Sequence, residues 1–277
     1  MECLSPLRKV IKSRVYWLPC SKCVNCNINR QNSWVFRLQQ ETKQSKTAYF
    51  VTLTYNDENI PKTVSKDTGE IINTLRYSDV QKYIKRLRKA QKGSKIKHYT
   101  VGEYGENTKR PHYHQIIFNA EAEKINSSWG HGHTLSGTVT TSSIRYVTKY
   151  MGKRINNTPE GAEKPKNVMS NGLGKNYLTP EVINHHKEYL INYIVIEGGK
   201  KIGLPQYYKD KLFDDTEKMK LRILNEIQND ADLQHLWDKC TSIEKLDFEI
   251  SARVKEKDAR AAKNERLKQK QSKSLVV

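Results

Sequence analysis

The segment Arg110-Pro-His112-Tyr-His114-Gln-Ile-Ile-Phe118 sets two histidines two residues apart, ahead of an apolar run. In a strand, residues two apart share a face. His112 and His114 would then point to one side and Tyr113 to the other. Two imidazoles on one face are half of a metal site, although two surface histidines on an edge strand would read the same way. A hard divalent cation also calls for a carboxylate. Glu103 and Glu106 stand just upstream, in Val101-Gly-Glu103-Tyr-Gly-Glu106. If 97–103 and 112–118 pair antiparallel, Glu103 ends beside His112, and Glu106 falls in the connecting loop. Glu103 is therefore the expected ligand and Glu106 the alternative.

A second constellation is Arg145-Tyr146-Val-Thr-Lys149-Tyr150-Met-Gly-Lys153. On a helix, residues four apart are neighbours. Tyr146 would lie over Tyr150, and Lys149 over Lys153. An amphipathic helix burying two tyrosines would show the same spacing. A phenol, with its ordinary pKa of about 10, is a poor nucleophile at neutral pH. A nearby metal ion or lysine changes that by stabilising the negative charge that develops.

The charge balance suggests what such a nucleophile would meet. The chain has 277 residues, with 49 Lys+Arg against 30 Asp+Glu, a net charge of +19. An excess of this size points to a polyanion, nucleic acid first. Tyrosine attack on a DNA phosphodiester would leave a 5′-phosphotyrosine and a free 3′-hydroxyl. One phosphodiester replaces another, so the step needs no ATP. A mean hydropathy of −0.80 and the lack of a long apolar run exclude an integral membrane protein. Arg8, Lys9, Lys12 and Arg14 fall where an apolar signal segment would sit, so secretion by that route is not expected.

Other signals bear less directly on this chemistry. Cys20, Cys23 and Cys26 fall at equal gaps, with Cys3 as a candidate fourth thiolate for a structural zinc. Closing a tetrahedron with three cysteines so evenly spaced is tight. An iron–sulfur cluster would want a different spacing. With Cys240 the cysteines number five, which suggests reduced thiols rather than a disulfide framework. His131-Gly-His133 is a rival metal pair, but its glycines suggest a loop. His185-His186 is expected on a helix surface. Gly172-Leu-Gly-Lys175 lacks the earlier glycine of a phosphate loop, so no nucleotide-driven motor is expected.

These residues need elements to hold them. Helical spacing predicts a helix over Gln31–Gln44, with Trp34, Val35 and Leu38 on one stripe. Tyr49–Tyr55 reads as a strand and Asn56–Gly69 as a polar loop. Ser78 is expected to cap a helix that buries Val80, Tyr83, Ile84 and Leu87 and ends at Gly93. The basic side of that helix, with Lys82, Lys85 and Arg86, is expected either to contact DNA backbone or simply to be solvated. Arg110 and Arg145, beside the two motifs, are further expected DNA contacts. Strands are expected at Lys97–Glu103 and His112–Asn119, with a short helix near Ala120–Ser127. A weak strand near Thr134–Thr141 and a helix from Ser142 to about Arg154 follow. Pro159–Asn176 reads as a loop and Tyr177–Tyr208 as holding an aromatic-rich helix. Residues 253–273, with nine Lys/Arg against three Asp/Glu, are expected to form a basic helical tail or arm. The order predicts an α+β fold, an antiparallel sheet with helices packed on one face.

Taken together, Phe50-Val-Thr-Leu-Thr-Tyr55, Gly102-Glu-Tyr-Gly-Glu106, Arg110-Pro-His-Tyr-His114 and Tyr146-Val-Thr-Lys-Tyr150 resemble the replication initiators of microviruses. These are small phages with circular single-stranded DNA. The gokushovirus branch is similar also in Pro19-Cys-x-x-Cys-x-x-Cys26 and Trp34-x-x-Arg37-x-x-x-Glu41. The resemblance covers roughly residues 1–155. It implies the wider HUH endonuclease (RRM-like) fold, named for two histidines around a hydrophobic residue, and rolling-circle replication by nicking and rejoining one strand. His112 and His114 would hold Mg²⁺ or Mn²⁺, Tyr146 and Tyr150 would alternate as nucleophiles, and Lys149 and Lys153 would be supporting cations. Phe50–Tyr55 would help place DNA or serve only as sheet core. Implied partners are single-stranded and replicative double-stranded viral DNA at an origin, with a host helicase and polymerase. The implied setting is the host bacterial cytoplasm, with no membrane. The expected division is a Cys-bearing segment 1–30, an endonuclease domain 31–155, an aromatic-rich helical extension 156–212 and a charged helical tail 213–277. The alternatives are a plasmid initiator, relaxase or transposase with the same chemistry, a nuclease using metal-bound water, and a non-catalytic DNA-binding or packaging protein.

Overall fold

The computed structural model describes residues 3–11, 14–149, 158–196, 198–218 and 220–221. In chain order the elements are β1 (Leu7–Ile11), β2 (Arg14–Leu18), α1 (Val24–Gln44), β3 (Ala48–Thr54), β4 (Lys62–Val64), β5 (Ile71–Asn73) and α2 (Tyr77–Ala90). Then come β6 (Lys97–Tyr104), β7 (Pro111–Phe118), α3 (Ala122–Trp129), β8 (Thr134–Thr138), α4 (Thr141–Lys149) and β9 (Asn167–Met169). A 3-10 turn at Lys175–Tyr177 leads to α5 (Pro180–Glu188), β10 (Tyr193–Val195), β11 (Lys201–Gly203) and α6 (Gln206–Leu212). Two compact units divide the chain, Met1–Ser5 with Pro19–Leu212, and Pro6–Leu18 with Phe213–Val277. In the second unit, β1 and β2 form an antiparallel hairpin with Leu7 opposite Leu18, both exposed.

The first unit is built on an antiparallel sheet of five strands in the order β8-β3-β7-β6-β9. The α+β class expected from the sequence is what forms, but helices cover both faces of the sheet rather than one. Val51, Leu53, Tyr113 and Ile117 face a core closed by Val80, Tyr83 and Leu87 of α2 and by Ile125 and Trp129 of α3. Tyr99, Val101, Ile116 and Phe118 face the other core, closed by Val35 and Leu38 of α1 and by Ile144 and Val147 of α4. The physical reason lies in β7. Its run Ile116-Ile117-Phe118 is buried throughout, and an unbroken apolar run belongs to a strand covered on both sides.

Several element expectations need correction. α1 begins at Val24, not Gln31. Ser78 lies inside α2, whose N-cap position is Arg76, and the helix stops at Ala90, ahead of Gly93. The polar loop after Tyr55 contains β4, which pairs with β5. The loop after Pro159 contributes β9 to the main sheet, and Tyr177–Tyr208 holds a hairpin, β10–β11, between two helices. These strands span three residues each, too short to display an alternation. No helix among the described residues is long and apolar enough to cross a membrane.

Candidate active site

The β6–β7 pairing sets Glu103 opposite His112 and Val101 opposite His114. Alternation then turns Glu103, His112 and His114 to the α1/α4 face, the side of Val101 and Ile116. Their ligand atoms lie within 4.8 Å of one another. Glu103 Oε2 is 3.3 Å from His112 Nε2 and 3.2 Å from His114 Nε2. The far nitrogens are also engaged. His112 Nδ1 lies 3.1 Å from the Arg110 carbonyl, and His114 Nδ1 lies 3.1 Å from Thr52 Oγ1. Thr52 faces His114 across the β3–β7 ladder. This contact escaped the sequence reading because only the register brings the two residues together.

The donor set fits a cation. A carbonyl can only accept, so the Arg110 contact places a hydrogen on His112 Nδ1 and, in the neutral ring, leaves a lone pair on Nε2. That lone pair faces a carboxylate oxygen, and two acceptors at such a distance need a proton or a cation between them. Partial burial of Glu103 acts to raise its carboxyl, but hydrogen bonds to His112 and His114 outweigh this and hold it at about 2. Burial pushes His114 below the ordinary imidazole range against the opposing pull of Glu103. Outer partners that fix each imidazole through Nδ1 are the usual support of a histidine–carboxylate metal site. Glu106 is exposed in the β6–β7 turn and stands outside the cluster.

α4 brings Tyr146 to the same face. Its ring stands edge-on to His114, with centroids 5.1 Å apart, and edge-on to Phe50 at 6.0 Å. Phe50 in turn stacks on His114 at 5.8 Å. Ile144 and Val147 anchor the helix in the core, whereas Tyr146 is 42% exposed and open to a substrate. Gln31 Nε2 of α1 donates to the Arg145 carbonyl at 3.0 Å, tying the two helices together beside that tyrosine. The Arg145 side chain is exposed, and Lys149 is exposed at the end of α4. Tyr150 and Lys153 lie outside the described residues.

The other basic residues are placed differently. Arg110 binds the Tyr55 carbonyl at 2.7 Å and Asp57 at 2.7 Å. Arg86 donates to the carbonyls of Ser128 and Trp129, at 2.8 and 2.7 Å, and so caps the end of α3. Lys82 and Lys85 are exposed on α2, which covers the sheet face opposite the cluster. Tyr113, between the histidines, is fully buried on that opposite face, where its hydroxyl accepts from Arg76 N at 2.7 Å.

The remaining motifs resolve as follows. The carbonyls of His131 and His133 accept from Asn56 N and Thr54 N, extending the sheet edge. A Cβ on Gly132 would collide with the Thr54–Asn56 backbone. His186 is buried, contrary to expectation, between the Tyr177 hydroxyl at 2.8 Å and the Ile191 carbonyl at 2.6 Å. The Gly172–Lys175 loop docks on α1, with Gly174 N donating to buried Glu41 at 2.8 Å. Cys3, Cys20, Cys23 and Cys26 form a second cluster of candidate ligands within 4.8 Å.

The family model for replication-associated proteins of the ORF2 type matches residues 48–155, the stretch from β3 past α4. Replication-associated protein VP4 of Bdellovibrio phage phiMH2K is 28% identical over 253 residues, covering 77% of this chain and 76% of its own length. Replication-associated protein ORF4 of Chlamydia phage 1 is 24% identical, over 73% of this chain and 55% of its own. Replication-associated protein ORF2 of Spiroplasma virus 4 is 27% identical, over 70% of this chain and 67% of its own. No solved structure matches the chain. The matched family and these phage relatives support a replication initiator of the microvirus type.

Proposed function

We propose that this chain starts rolling-circle replication of a phage genome by nicking one DNA strand through tyrosine attack and later rejoining it. The observation that carries the reading is the convergence of Glu103, His112 and His114 on one face, with Tyr146 edge-on to His114. The net charge of +19 suits a DNA substrate.

In the proposed step, the Tyr146 hydroxyl oxygen forms a bond to the scissile phosphorus and loses its proton to solvent. The bond from phosphorus to the 3′ oxygen breaks, and that oxygen takes up a proton. The products are a 5′-phosphotyrosine and a 3′-hydroxyl. Rejoining is the reverse attack, by a 3′-hydroxyl on the phosphotyrosine. Glu103, His112 and His114 would hold Mg²⁺ or Mn²⁺, which supplies Lewis-acid polarisation of the phosphate. Phe50 and Thr52 keep the His114 ring in place, and Lys149 adds positive charge near the end of α4. Tyr150, four residues on, would be the second nucleophile, with Lys153 beside it in sequence.

The test is covalent capture. The protein is mixed with single-stranded fragments covering its own replicon and Mn²⁺, then run on a denaturing gel. A protein–DNA adduct is expected, absent from the Tyr146→Phe/Tyr150→Phe double variant and from His112→Ala. Cleavage without an adduct would instead assign the chemistry to water. Salt-sensitive binding with neither product would indicate a non-catalytic DNA-binding protein.

A further inference from the structure

We propose that Cys3, Cys20, Cys23 and Cys26 together hold one structural zinc ion that ties the chain's first residues to the start of α1. This site is separate from the Glu103 cluster and independent of the tyrosine chemistry.

The first observation is the spacing of the sulfurs. A tetrahedral ion with Zn–S bonds of about 2.3 Å sets its four sulfurs roughly 3.8 Å apart. Cys3 Sγ and Cys23 Sγ are 3.9 Å apart, and Cys20 Sγ and Cys26 Sγ 4.0 Å. A disulfide would bring sulfurs to about 2.05 Å, and all four cysteines are free thiols. A multi-iron cluster would hold its thiolates much further apart, with the cluster between them. The even spacing of the three later cysteines, which looks too tight in sequence, is resolved by the backbone. Ser21 adopts φ 60°, turning the chain between Cys20 and Cys23, and Cys26 lies one helical turn beyond Cys23.

The second observation is what surrounds the sulfurs. Backbone N–H groups of Lys22 and Cys23 point at Cys20 Sγ, at 3.5 and 3.3 Å. Cys20 N donates to Cys3 Sγ at 3.2 Å, and Leu4 N to Cys23 Sγ at 3.5 Å. Donors aimed at sulfur stabilise thiolates, the form a metal binds. Cys23 occupies the N-cap position of α1, whose dipole favours negative charge there. The four thiolates complete the tetrahedron and leave no open position, as in a structural site.

The two clusters would sort their metals by donor type. Soft thiolates select zinc, whereas the site with a carboxylate and two imidazoles, partly exposed, suits the cation used with DNA phosphates. The zinc site also acts on the helix that supports the active face. α1 packs through Val35 and Leu38 against the core shared with α4, and its Gln31 holds the Arg145 carbonyl.

The experiment uses the full chain. Metal content is measured by plasma mass spectrometry, and cobalt substitution reports the ligand type by its visible and charge-transfer bands. One zinc per chain is expected, with a tetrathiolate cobalt spectrum, retained in His112→Ala and lost in Cys23→Ser. Zinc that leaves with His112→Ala but stays in Cys23→Ser would overturn the assignment. So would iron, or purified chain with no bound zinc that takes up none when it is supplied. Should Cys23→Ser fail to fold, thiol alkylation of the wild-type chain decides. Peptide mapping should show Cys3, Cys20, Cys23 and Cys26 protected with zinc and labelled after chelation. Equal labelling in both states would count against the site.

Discussion

Thr52 illustrates how a residue with no chemistry of its own type can govern a site. Its hydroxyl fixes His114 Nδ1 at 3.1 Å, so that Nε2 turns toward Glu103. Losing such an outer partner typically costs about 10- to 100-fold in metal affinity. Thr52→Val should therefore raise the Mn²⁺ concentration needed for half-maximal adduct formation by roughly 10-fold, with the fold intact. An unchanged Mn²⁺ dependence would remove Thr52 from the site. Tyr113 is the opposite case, a motif residue whose work is structural. Its hydroxyl bonds Arg76 N and meets the Tyr55 hydroxyl at 3.2 Å inside the core. Tyr113→Phe leaves a buried donor without its acceptor, at a cost of about 1–3 kcal/mol. Urea unfolding should show that loss, while adduct formation below the unfolding transition stays normal.

Among the elements, β6 joins site and scaffold most closely. Gly102 precedes Glu103, and a Cβ there would sit 2.5 Å from the Tyr77 hydroxyl and 2.9 Å from Leu75. The Tyr77 hydroxyl is in turn held by Gly102 N and Lys166 N and donates to the Lys166 carbonyl. Gly102→Ala should thus cost about 1–3 kcal/mol by overpacking and impair metal binding through the displaced Glu103. A normal melting point would show that the neighbours yield cheaply. The same strand carries a pH response. Burial, helped by the charge of Arg88, lowers His98 from 6.5 to about 4. Between those values the unfolded chain binds more protons than the folded one. Stability should therefore be fullest above pH 6.5 and fall as the pH drops toward 4, by on the order of 3 kcal/mol. His98→Gln should flatten that part of a urea-midpoint profile, and an unaltered profile would assign the acid sensitivity to other groups.

For the molecule as a whole, the basic surface and the chemistry stand on different faces. Lys82 and Lys85 are exposed on α2, across the sheet from Glu103 and the histidines. DNA affinity should fall linearly in log–log against salt, with a slope of about −0.7 per neutralised phosphate on single strands. Lys82→Ala/Lys85→Ala should reduce that slope if α2 touches backbone, and leave the nicked position unchanged. A shifted nick position would mean that α2 takes part in site choice. Arg86, which shares the sequence pattern of those lysines, is instead engaged by the end of α3.

The sequence alone determined the long strands, the amphipathic core of α2 and the pairing of Glu103 with His112. Each is set by local periodicity, and the last by a short connection that permits only one neighbouring arrangement. The resemblance carried by the four motifs came from the same local stretches. Only the tertiary structure decided that both sheet faces are covered, that β9 completes the sheet, and that Thr52 and Phe50 brace His114. It also decided which cation-bearing side chains are tied down, and that Cys3 reaches cysteines distant in sequence. Those features depend on contacts between distant segments, which leave no period in the chain. Three-residue strands and a lone threonine opposite a histidine gain their meaning only from register.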